Sequence, residues 1–89
     1  MHEEAVFRRL REKLAELTAE HQSARVLEVS LWVGALSQFS GPEIQAHWSH
    51  AMAGTPAEGA RLLITESSDL THPHAQGIIL ENISLEEPV

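Results

Sequence analysis

The chain has 89 residues, 43% hydrophobic and 21% charged, with a formal net charge of −7 and only 6 Lys and Arg. That balance describes a single folded domain with an acidic surface, and it argues against nucleic acid and anionic membranes, which recruit clustered positive charge. The absence of cysteine excludes disulfides, thiolate zinc sites and a cysteine nucleophile.

A chain of this length buries roughly 60–65% of the surface its unfolded form exposes, so the core is small. It contains no apolar run of membrane length and no signal-peptide core, and the expected location is the cytoplasm.

From Glu3 to about His21 the pattern is helical. Phe7, Leu10, Leu14 and Leu17 recur at three- and four-residue spacing, widened by Val6. Glu3 and Glu4 fall in the first turn, where the positive end of the helix favours them, and Glu4 is placed to pair with Arg8 one turn on. Arg25 to Val33 alternates. Leu27, Val29, Leu31 and Val33 form the expected buried face, with Trp32 on the other. Gly34 then breaks the strand.

Ser40-Gly41-Pro42-Glu43 has the form of a capping box, with proline where its missing N–H has no helical partner to lose. Ile44, Trp48, Ala51 and Met52 give the inward stripe of a second helix, and Gly54 is expected to stop it at C′. Thr55-Pro56-Ala57-Glu58 repeats the capping pattern, but Gly59 limits it to one turn. Arg61 to Thr65 predicts a short strand and Gly77 to Glu86 a longer one. The latter changes face near Glu81-Asn82, which predicts a bulge. Glu66 to Gln76 is polar and reads as a loop. A strand–helix–strand unit normally makes a parallel crossover and the last strand can return antiparallel. The expected architecture is α+β, with two helices on a three-stranded mixed sheet in the order α-β-α-β-β.

Chemistry concentrates at the start. In Met1-His2-Glu3 an α-amine, the His2 amide nitrogen and the His2 imidazole can close two small chelate rings around one ion. Planar, all-nitrogen coordination suits Ni(II) and Cu(II) better than Mg, Ca or Mn. His72-Pro73-His74 supplies two imidazoles, too few for a structural zinc site, and reads as a surface loop. His47 and His50 share a helix at i, i+3 and flank Trp48, so at most one is expected to face the core. His21 ends the first helix and carries no assigned function. Ser37 and Ser40 lack a strand-to-helix nucleophile motif and there is no glycine-rich phosphate loop, so the chain does not read as an enzyme.

Three pieces, in this order and spacing, resemble the nickel-binding domain of the HypA/HybF hydrogenase nickel-incorporation family. They are Met1-His2-Glu3, Val33-Gly34-Ala35-Leu36-Ser37 and Thr55-Pro56-Ala57-Glu58-Gly59-Ala60-Arg61-Leu62. With the closing strand they span nearly the whole chain as one domain, residues 1–89. The family inserts a zinc ribbon of paired Cys-x-x-Cys motifs between the last two strands. Here residues 66–76 stand in its place, and no zinc is expected. The resemblance implies that His2, with the backbone of the chain start, binds Ni(II), with Met1 contributing its amine and Glu3 supporting the site or a partner contact. It also implies delivery to a nickel enzyme, foremost [NiFe] hydrogenase through its large subunit, with help from a GTPase accessory protein. A rival reading is a metal-free interaction module that docks through the sheet face bearing Trp32.

Overall fold

The computed structural model describes residues 2–23 and 25–87, and for His2 and Glu3 the backbone alone. Helix α1 spans His2–Glu20, strand β1 Val26–Val33, helix α2 Gly41–Met52, strand β2 Arg61–Glu66 and strand β3 Ile78–Leu85. This is the expected α-β-α-β-β order, each boundary lying within a residue or so of its sequence signal. The sheet order is β2-β1-β3. β1 pairs with β2 in parallel from Glu28↔Arg61 to Val33↔Glu66, and with β3 antiparallel. The architecture is therefore two helices with a three-stranded mixed sheet.

One face of the sheet is apolar. Val29, Leu31 and Val33 of β1 join Leu62 of β2 in a core that takes Phe7, Leu10 and Leu14 from α1 and Ile44, Trp48 and Met52 from α2. Leu14, Leu31 and Met52 are among the largest fully buried side chains, and truncating such a residue to alanine typically costs about 2–5 kcal/mol. Two cross-links tie the helices into place. The Arg11 guanidinium, which also pairs with Glu4, donates to the Ala51 carbonyl at 3.2 Å, and the Trp48 indole N–H donates to the Ala60 carbonyl at 3.3 Å. Glu4 thus reaches Arg11, two turns on, rather than Arg8.

Two bulges set the register of β1 against β3. Leu27 is extra on β1, between the pairs Val26↔Leu85 and Glu28↔Ser84, and Glu81 is extra on β3, between Ser30↔Asn82 and Leu31↔Leu80. The second is the expected bulge near Glu81-Asn82. The first corrects the strand reading. Strict alternation puts Leu27 in the core, but the added residue turns it outward at 45% exposure, and Val26 takes the core position at 0%. The two insertions lie on opposite strands, so the register they displace is restored.

The helix ends show what stops each element. Ser40 caps α2: its hydroxyl accepts from the Glu43 amide, and the Glu43 carboxylate accepts from the Ser40 amide at 2.9 Å. These bonds, the backbone one foremost, hold the Glu43 carboxyl below its ordinary value. The Glu66 carboxylate, from the end of β2, accepts from the Gly41 amide at 3.2 Å and satisfies another first-turn donor. At the other end, Gly54 has φ of +77° but sits differently from the expected cap. Ala53 is extended (φ −58°, ψ 134°) and the Thr55 amide donates to the Met52 carbonyl, so Gly54 occupies the third position of a type II turn. The Thr55 to Glu58 segment is a single turn, with the Thr55 hydroxyl accepting from the Ala57 amide.

Candidate functional site

The start of α1 lies against the end of the sheet where β1 finishes and β3 begins. Val6, Arg9 and Leu10 face residues 37–39 and 76–78 across a cleft of about 250 Å³. Residues 37–39 are held by Ser37, whose hydroxyl donates to the Phe39 carbonyl and accepts from the Phe39 amide.

The far wall comes from the loop between β2 and β3, residues 67–77, which is stapled to the turn after β1. The Gly34 amide donates to the Gly77 carbonyl at 2.9 Å and the Leu36 amide to the Ala75 carbonyl at 2.7 Å. Within the loop, Asp69 accepts from the Thr71 hydroxyl and amide, which hold its carboxyl below the ordinary value. Ala75 is buried, so this polar segment is anchored near the end that leads into β3.

His72 closes the loop over the sheet. Its ring packs on Trp32 at a tilt of 44° with centroids 4.6 Å apart, and its Nδ1 accepts from the His74 amide at 3.0 Å. That bond assigns the proton of the neutral imidazole to Nε2. Metal capture by His72 would have to break the backbone bond or displace that proton, which fits the surface-loop reading of His72-Pro73-His74. Trp32 in turn is half-buried under the loop, and its neighbours on the outer face include Ser30, Thr65 and Asn82. The ring is thus occupied within the chain, on a mixed face where Ile79 stands across from Trp32 and the exposed Leu63 across from Ser30.

The remaining histidines are dispersed. His47 and His50 are both exposed on α2, so neither faces the core, and His21 is exposed just beyond α1. Among the described residues no group of three His, Cys, Asp or Glu side chains is placed to hold a metal ion. The expected ligands Met1, His2 and Glu3 lie outside the described residues, apart from the backbone of His2 and Glu3, which opens α1. That backbone matters. The first N–H groups of a helix have no intrahelical acceptor, so the His2 amide makes no helical bond that a ligand to its nitrogen would have to break.

The comparison with known families decides what this geometry belongs to. Residues 1–72 match HypA, described as a hydrogenase/urease nickel incorporation metallochaperone. The chain belongs to the HypA family. No curated protein matches it. HypA proteins bind nickel and insert it into hydrogenase and urease, a carrier's task and not a catalyst's. The HypA match takes in α1, β1, α2, β2 and the loop as far as His72, and β3 lies beyond it. Among the described residues no helix is long and apolar enough to cross a membrane.

Sequence reasoning missed the cleft beside Arg9, the Glu66 carboxylate on α2 and the burial of Thr18. Only Thr18 left a usable signal. It lies nearer the centre of the Phe7–Leu10–Leu14 stripe than Leu17 does, and its hydroxyl is satisfied by the Ala15 carbonyl at 2.9 Å.

Proposed function

We propose that this chain carries Ni(II) at its first residues and passes it to a nickel enzyme, foremost [NiFe] hydrogenase. The ligands are the α-amine of Met1, the amide nitrogen and imidazole Nδ1 of His2, with Glu3 supporting the site or contacting the receiving partner. The observation that carries this reading is the family match, which begins at residue 1 and therefore includes Met1-His2-Glu3. Partnerless first-turn amides support it as well. Nickel is cargo, held by nitrogen donors that must lose protons to bind, so affinity falls as pH drops and bound metal is released by protonation or by a competing donor set. The receiving partners are the hydrogenase large subunit and a GTPase accessory protein.

The chain works without zinc. It has no thiolate, and residues 67–77 form a short stapled loop where the family carries its zinc ribbon. Equilibrium dialysis of the untagged protein tests the reading. Uptake of about one Ni(II) per chain is expected, because each chain has one such terminal set of nitrogen donors, and it is abolished by His2→Ala or by extending the amino terminus. Uptake unchanged by both alterations overturns it.

A further inference from the structure

The cleft at the start of α1 brings an apolar floor, a guanidinium and two side-chain amides together. Its floor is apolar, made by Val6, Leu10, Phe39 and Ile78, and at its rim stands Arg9. The chain as a whole carries −7, yet among the described residues no carboxylate lines this cleft. Of the other five cations, three are matched among the described residues, Arg11 with Glu4, Lys13 with Glu16 and Arg61 with Glu28, while Arg8 and Arg25 stand unpaired there and away from this cleft. Arg9 has no such partner among the described residues. The side-chain amides of Gln38 and Gln76, both exposed at the cleft, likewise make no hydrogen bond among the described residues.

Size narrows the occupant. At about 250 Å³ the cleft falls below the roughly 300–1,000 Å³ of pockets that enclose a whole small molecule. It suits one anchoring side chain of a longer segment, the usual role of an interface pocket. We propose that this cleft docks a partner protein's segment presenting an aliphatic side chain beside a carboxylate. The aliphatic group enters between Val6, Leu10, Phe39 and Ile78, and the carboxylate meets the Arg9 guanidinium. The glutamine amides are placed to hold the segment's backbone. Such a segment would lie about one helical turn from the backbone of His2, but it uses none of the nickel-binding groups.

The test uses the metal-free full chain labelled with ¹⁵N, so it is independent of nickel. Two probe peptides are titrated, acetyl-Ala-Leu-Asp-Ala-amide and its neutral counterpart acetyl-Ala-Leu-Asn-Ala-amide. The acidic peptide is expected to shift the amides of Phe39, Gly77 and Ile78 saturably. The neutral peptide, and the acidic peptide on Arg9→Gln, should bind roughly threefold more weakly, the range for an exposed ion pair. His2→Ala should leave these shifts intact while removing nickel uptake, so failure of either idea is told apart from failure of the other. Absence of saturable shifts at those amides, or equal binding of both peptides by wild type and Arg9→Gln, overturns the proposal. Shifts at the same amides that grow with protein concentration alone would overturn it in favour of a second copy of this chain.

Discussion

Gly34 and Ala75 meet backbone to backbone. A Cβ on Gly34 would fall inside contact distance of the Ala75 carbonyl and 2.8 Å from the His74 carbonyl oxygen. This approach lets the polar loop close over the end of the sheet and form one wall of the cleft. Gly34→Ala forces the loop off, and the bonds from Gly34 to Gly77 and from Leu36 to Ala75 go with it. The expected cost is about 2–3 kcal/mol, as for other overpacked sites. It should be read as a lower urea midpoint and as faster amide exchange at Leu36.

The capping box offers a test of α2. Ser40→Ala should cost about 1 kcal/mol, which is about 4–8 °C in Tm for a domain of this size. Glu43 adds a pH signature. Its folded carboxyl lies below the ordinary value of 4.5. The stabilisation is therefore fully present above that value and is lost as pH falls through the lower, folded one. The stability gap between wild type and Glu43→Gln should shrink as pH is lowered below 4.5, and a gap that stays constant in acid would contradict the assignment.

How far these features could be read in advance depends on their range along the chain. The Phe7, Leu10 and Leu14 stripe, the Ser40 and Glu43 cap and the β3 bulge are local patterns, and they stand in the structure where the residues place them. Val26 and Leu27 exchanged roles because both are apolar, so the bulge at Leu27 leaves no change of face in the β1 pattern, whereas the one in β3 does. Glu66 caps Gly41 from 25 residues away, and the cleft joins residues 6–10 to residues 76–78. Neither has a periodicity to betray it. At the chain start, donor chemistry and family likeness are the signals the residues Met1-His2-Glu3 offer.

Gln22 marks a place where the sequence is not optimal. It ends α1 with φ of +56°, while Ser23 donates to the Thr18 carbonyl and Gln22 to the Ala19 carbonyl, the two bonds of a Schellman motif. A side chain in the left-handed region is disfavoured by about 1–2 kcal/mol. Gln22→Gly should therefore stabilise the protein by about 1 kcal/mol, seen as a rise in thermal midpoint with unchanged nickel uptake.

His72 packs on Trp32 and holds the His74 amide. His72→Ala removes the ring packed on Trp32, worth about 0.5–1.5 kcal/mol for an aromatic pair, and exposes the indole. Tryptophan emission should move to longer wavelength while Trp48, buried and bonded to Ala60, stays dark to added quencher. Unaltered emission would mean that the loop does not cover Trp32 in solution.

The most direct test of the account is a Ni(II) titration of the untagged protein, followed by visible absorption and by the imidazole resonances of His2. A planar nitrogen site predicts a d–d absorption band that saturates at about one Ni(II) per chain, reverses on acidification and moves the His2 signals in step. His2 resonances that stay unmoved while nickel is added would contradict it.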